Sequence, residues 1–177
     1  EKNSIFVLVQ TTQSGFQICE AANHQTFLDK KAHKCSMQTE FDEATASAFY
    51  ETYVNQNQEF TIEKIVAISS DKENFVDDAL DSAVHALNDE MTFEKLHQQS
   101  AVKWNMLWEA FDIKITGDRN SQKLLRLHIY HLLSSVSPFN EKLDASITAR
   151  GLHGEAYRGH IFWDELFILP LYDLHLP

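Results

Sequence analysis

Ser146-Ile147-Thr148-Ala149-Arg150-Gly151-Leu152-His153-Gly154-Glu155-Ala156-Tyr157-Arg158-Gly159-His160-Ile161-Phe162-Trp163-Asp164-Glu165 is the stretch on which the reading of this chain turns. Three of the five glycines in 177 residues fall inside it: Gly151, Gly154 and Gly159. Glycine opens backbone conformations closed to other residues and lets neighbouring groups approach closely. A cluster in an otherwise glycine-poor chain predicts a shaped loop. Arg150, His153, Glu155, Tyr157, Arg158 and His160 lie among the glycines, and Phe162, Trp163 and Asp164 follow. Polar groups beside aromatic walls are the composition of a small-molecule pocket.

Trp163-Asp164 carries the most chemistry. A flat indole stacks on the apolar face of a sugar ring, and a carboxylate accepts hydrogen bonds from its hydroxyls. Arg150 and Arg158 add planar donors, and His153 and His160 titrate near neutral pH. The competing reading is purely structural: Trp163 belongs to the core and Asp164 caps the helix that follows. Residue types alone leave both open. Glu155 and Glu165 invite comparison with a glycosidase carboxylate pair, but that chemistry depends on a spatial separation that sequence spacing does not give. Neither is assigned as catalytic. The histidines form no ligand motif, and no metal is expected. Phosphate-cradling loops, dinucleotide fingerprints and nucleophile elbows are absent from the sequence.

Upstream, the first seventy residues predict strands. Ile5–Val9 has a buried pattern, and Phe16 with Ile18 opens a second run, ended by polar Asn23-His24-Gln25. Cys35, Met37, Thr39 and Phe41 alternate with polar residues, predicting a half-buried strand. Phe49–Val54 and Phe60–Ile68 add two more. Several strands joined by turns suggest part of an antiparallel β-sandwich.

The period changes at Ser70. Ser70-Asp71-Lys72-Glu73 fits a capping box, with Val76, Leu80, Ala83, Val84 and Leu87 at helical spacing behind it. A second helix is expected from Thr92, with Phe93, Leu96, Trp104, Leu107, Trp108 and Phe111 on one side as core. A third follows Asp118, a suitable N-cap. Leucines and isoleucines from Leu124 to Leu133 nearly surround it, predicting deep burial. Strands followed by helices make an α+β chain.

The net charge of −11 and pI near 5.2 argue against nucleic acid and anionic membrane as partners. Asp164, Glu165 and Asp173 interrupt the apolar run after Ile161, so no transmembrane helix is predicted. Cys19 and Cys35, the only cysteines, are expected as reduced, half-buried thiols; a bridge across a hairpin is the alternative. With no signal-peptide pattern, a cytoplasmic location is expected. The chain opens into a strand and stops after an apolar run, which suggests a piece of a longer protein.

The segment Ala149 to Asp164 closely resembles a motif of glycoside hydrolase family 65, which contains maltose, trehalose, kojibiose and nigerose phosphorylases and some trehalose hydrolases. Trp104, Trp108, Asp112-Ile113-Lys114-Ile115, Gly117-Asp118, Gln122 and Leu125–Leu133 resemble the approach to the family's catalytic domain and its first barrel helix. Glu63–Ile68 resembles the last strand of its N-terminal domain.

The resemblance implies residues 1–70 as the end of an N-terminal β-sandwich, 71–115 as a helical linker, and 116–177 as the start of an (α/α)6 barrel. It implies an enzyme cleaving an α-linked glucose disaccharide, of trehalose or maltose type, with inversion. Inorganic phosphate or water is the acceptor, with no cofactor beyond phosphate as co-substrate. Trp163 and Asp164 would hold the non-reducing glucose, with Arg158 and His160 shaping that subsite. The family's general acid and phosphate-binding residues correspond to positions beyond Pro177, so no catalytic residue is assigned within this chain. His153 stands where the best-known phosphorylases usually carry Thr, and Glu165-Leu166-Phe167 replaces their Thr-Glu pair; both point toward the trehalose-processing branch. The resemblance allows a homodimer. A non-catalytic carbohydrate-binding or structural fragment is the alternative reading. An incomplete barrel would leave the apolar faces of 124–133 and 161–176 without partners.

Overall fold

Strand β2 (Gln17–Leu28) is the spine of the first of two units, Glu1–Gln98. The computed structural model describes residues 4–43, 45–73, 76–87, 91–136, 147, 154, 157 and 160–175. On one side β2 pairs antiparallel with β1 (Ser4–Gln10), from Ser4 opposite Asn23 to Gln10 opposite Gln17, and with the short β3 (Lys31–Ala32). On the other it pairs along its whole later length with β6 (Phe60–Ser70), from Ile18 opposite Ser70 to Leu28 opposite Phe60. The expected stop at Asn23-His24-Gln25 does not occur. Backbone pairing to β6 runs through those residues, and His24 and Thr26 are buried. Polar side chains do not end a strand whose amides and carbonyls are satisfied on both sides.

Both faces of β2 are covered, which removes a clean alternation from its sequence. Cys19 and Ala21 form a core with Ala79, Ala83 and Leu87 of the first helical segment, flanked by Ile65 and Ala67 of β6. The opposite face meets a second antiparallel sheet, a hairpin of β4 (Ser36–Asp42) and β5 (Thr45–Glu51). There the His24 and Tyr50 rings lie 5.7 Å apart. The expected half-burial of β4 is not found. Met37 alone is partly covered, by the Tyr50 hydroxyl donating to its Sδ at 3.0 Å, while Phe41 is exposed. A two-stranded hairpin covers one face of its neighbour and leaves its own outer face open.

Helix α1 (Ala79–Ala86) begins at Asp78, whose Oδ1 accepts from the Asp81 amide at 2.9 Å. The capping box expected at Ser70 is therefore a local turn at the end of β6. The Ser70 hydroxyl accepts from the Lys72 amide at 3.2 Å, and its carbonyl accepts from the Glu73 amide. Serine offers the same bond to a turn as to a helix start, so the motif does not discriminate. Small residues at Ala79 and Ala83 let α1 sit directly on the sheet.

Beneath α1 the Cys19 side chain is fully buried, not half-buried as expected, while Cys35 is partly covered; both thiols are free. Burial pushes the Cys19 thiol up, and the charges of Asp78 and Glu20 push it further. Because the thiolate is the reactive form, iodoacetamide at neutral pH should label Cys35 and spare Cys19 in the folded chain, read by peptide mass mapping. Equal labelling of the two would contradict this packing.

Helix α2 (Phe93–Phe111) starts where expected, with Thr92 Oγ1 accepting from the Lys95 amide at 3.2 Å, and ends in the second unit, Gln99–Pro177. Its second half supplies Trp104, Leu107, Trp108 and Phe111 to a core completed by Ile129 and Leu133 of α3 (Arg119–Ser135) and Tyr172 of α4 (Glu165–His175). Tyr172 donates its hydroxyl to the Leu132 carbonyl at 2.6 Å, and burial pushes its pKa up to about 12. A cavity of about 170 Å³ lies beside this core, lined mainly by Phe111, Ile113, Ile129, Leu132 and Leu133. Pro170 sits inside α4.

Asp118 caps α3 as expected, its Oδ1 accepting from the amides of Asn120 and Ser121. The extended segment before it is clamped by α3 itself. Gln122 accepts from the Ile115 amide at 2.6 Å and donates to the Ile113 carbonyl at 3.0 Å, as a neighbouring strand would. Arg126 grips both oxygens of Asp112, at 2.9 and 2.6 Å. The guanidinium holds the Asp112 carboxyl below its usual range. The deep burial expected of α3 is not observed: Leu124 is 56% and Leu127 49% exposed. Their side of the helix carries apolar groups that the described residues do not cover.

Candidate functional site

The glycine-rich stretch leads into α4. Of its residues, Ile147, Gly154, Tyr157 and everything from His160 to Glu165 lie within the described set; Arg150, His153, Glu155 and Arg158 lie outside it. Trp163 and Asp164 form the turn that starts α4. The Trp163 carbonyl accepts from the Leu166 amide at 3.1 Å. The Asp164 carbonyl accepts from the amides of Phe167 and Ile168 at 3.0 and 3.2 Å.

This geometry bears on the structural reading of the pair, in which Trp163 is core and Asp164 a cap. Trp163 is 67% exposed, so it is not core. Its indole stands edge-on to Phe167, centroids 5.6 Å apart and planes at 82°, which props the ring one helical turn from its support. Asp164 enters the helix through its carbonyl, and among the described residues no donor occupies its carboxylate. An N-cap carboxylate would accept from an amide two or three residues on. Among the described residues the carboxylate is thus unengaged, next to an exposed indole.

Glu165 is committed elsewhere. Its Oε1 accepts from the Ile147 amide at 3.0 Å and ties the start of the glycine-rich stretch to the first turn of α4. The sequence assigns Glu165 no catalytic role and no structural one. Nothing in residue order signals a tie spanning that distance along the chain.

His160 is exposed, and its ring Nδ1 lies 2.8 Å from the Tyr157 carbonyl, which also accepts from the His160 amide at 3.0 Å. Tyr157 adopts φ of 55° and packs its ring against Phe162, centroids 4.7 Å apart. The sequence places Tyr157 among the groups between the glycines but assigns it no role of its own. Trp163, Asp164 and His160 thus lie on one short segment, along which Ile161, Leu166 and Phe167 are exposed. Among the described residues, no group of three or more His, Cys, Asp or Glu gathers to hold a metal, and no helix is long and apolar enough to cross a membrane.

Comparison with known proteins bears on the whole chain. The model of the glycosyl hydrolase family 65 N-terminal domain matches residues 1–107, and that of the family's central catalytic domain matches residues 126–177. An uncharacterized glycosyl hydrolase of Mycobacterium tuberculosis is 35% identical over 175 residues, covering 99% of this chain and 13% of the relative. Trehalose 6-phosphate phosphorylase of Lactococcus lactis is 35% identical over 141 residues, 78% of this chain and 18% of the relative. Kojibiose phosphorylase of Caldanaerobacter subterraneus is 44% identical over 87 residues, 48% of this chain and 11% of the relative. The chain spans less than a fifth of the length of each of these relatives. Two adjoining domain models of one family, matched in order along one chain, establish the conclusion: the chain belongs to glycosyl hydrolase family 65.

Proposed function

We propose that this chain is part of an enzyme that cleaves an α-glucosidic disaccharide with inversion, by phosphorolysis or hydrolysis, and that Trp163 and Asp164 grip the glucosyl unit. The observation that carries this reading is the open Trp163 indole beside a carboxylate free of capping duty. His160 shapes the same subsite, and Arg158, outside the described residues, is assigned to it with them. Residues 1–70 close a β-sandwich, 71–115 link, and 116–177 begin an (α/α)6 barrel. The complete protein works in the cytoplasm.

In the proposed reaction an acid outside this chain protonates the glycosidic oxygen, which leaves with the second sugar. Phosphate, or water deprotonated by a base, attacks the anomeric carbon from the opposite face. Asp164 and Trp163 transfer no proton. They bind the ring in the orientation that attack requires, which is where positioning contributes to rate. The named phosphorylases among the relatives support phosphate as acceptor.

The test is product analysis on the complete protein with trehalose, trehalose 6-phosphate, kojibiose and maltose, with and without inorganic phosphate. Phosphate-dependent release of β-glucose 1-phosphate is expected from an inverting phosphorolysis. Phosphate-independent release of β-glucose would assign hydrolysis. Release of α-products, or no cleavage of any of these sugars, would refute the proposal.

A further inference from the structure

Four described residues other than glycine adopt positive φ: Asp29, Lys30, Asn57 and Tyr157. Asp29 and Lys30 form the two-residue turn between β2 and β3, where such angles match the twist of the strands. Asn57 is of a type that tolerates them. Tyr157 has neither justification. A bulky aromatic residue is disfavoured there, and an outlier of this kind persists when its surroundings over-determine it.

Two contacts do so. The Tyr157 ring packs against Phe162, one peptide before Trp163, which sets the direction in which the chain delivers Trp163 and Asp164. The Tyr157 carbonyl faces both the amide and Nδ1 of His160. A carbonyl only accepts, so Nδ1 carries a proton. In a neutral imidazole, Nε2 then holds a lone pair and cannot donate.

We infer that Tyr157 is a positioning residue of the glucosyl subsite: its left-handed backbone, braced by its ring on Phe162, holds His160 with Nδ1 protonated so that Nε2 accepts a hydrogen bond from a sugar hydroxyl. The inference rests on the function proposed above. It makes the subsite's recognition double-acceptor in character, with Asp164 and His160 each taking a hydroxyl proton beside the apolar Trp163 face.

Four variants of the complete protein test it through kcat/KM for the disaccharide it cleaves. Tyr157→Phe keeps the brace and should stay within about twofold, while Tyr157→Gly accommodates the backbone angle without the brace and should lose roughly 10- to 100-fold, as a misplaced group does. His160→Gln places an amide oxygen near the former Nε2, whereas His160→Asn reaches only the Nδ1 position, so Gln should exceed Asn by roughly tenfold, the worth of one hydrogen bond. Disaccharides lacking one glucosyl hydroxyl at a time supply a readout that a structural role would not move. For one of them the wild type should fall and His160→Asn should fall no further.

Full activity in Tyr157→Gly, a loss in Tyr157→Phe equal to that in Tyr157→Gly, His160→Asn matching His160→Gln, or additivity with every deoxy substrate would each overturn the inference while leaving the proposed function intact. A wild-type protein that cleaves no α-glucosidic disaccharide would overturn both.

Discussion

Asp164→Ala in the complete enzyme is expected to lower kcat/KM for its disaccharide by well over tenfold. Hydrogen bonds to a charged group contribute about 1.5–3 kcal/mol, or roughly 10- to 150-fold when lost from the transition state. The prediction is separable from damage to the fold. The Asp164 side chain does not cap α4, and its carbonyl, which does bond to the Phe167 and Ile168 amides, survives the substitution. The melting temperature should therefore hardly move while activity falls. Trp163→Ala should behave alike, because the exposed indole covers little of the core. Cleavage by Asp164→Ala within tenfold of wild type, about 1.4 kcal/mol, would remove Asp164 from the subsite.

Leu133→Ala is expected to have the largest effect on stability, about 3 kcal/mol within the usual range for Leu→Ala in a core. Leu133 is buried among Phe111, Ile129 and Tyr172, so truncation withdraws contacts from the three helices described in the second unit. It also lines the cavity of about 170 Å³ next to that core. The side chains around it already border empty space, and the lost volume adds to a void that they do not fill. The measurement is native-state hydrogen exchange of the α3 and α4 amides, where opening should become about a hundredfold more frequent. An increase below about fivefold, or roughly 1 kcal/mol, would show that the second unit is not organised around Leu133.

Much of this architecture is legible from residue patterns. Asp118 and Thr92 mark their helices because each is followed by a periodic run and has no competing strand before it. Ser70 misleads for the opposite reason: the strand continues up to it, and the hydroxyl serves the turn. The polar middle of β2 hides a strand because its two faces are covered by different partners, an arrangement that only tertiary contact reveals. At the candidate site, Trp163 and Asp164 stand out as residue types, but whether they are core and cap or open wall depends on exposure and hydrogen bonding. The tie from Glu165 to Ile147 and the left-handed Tyr157 leave no trace in composition.

Pro170 bears on whatever lies against α4. Proline brings no amide hydrogen, so the Leu166 carbonyl one turn earlier lacks its usual helical donor. Leu166 and Phe167 are the most open of that helix's described apolar side chains. Their surface is thus not uniformly oily: it adjoins a carbonyl that Pro170 cannot serve. A partner of purely hydrocarbon character would strand that oxygen. A matching surface needs a hydroxyl, an amide or an enclosed water at this one point, which gives the face an address as well as an appetite for apolar cover.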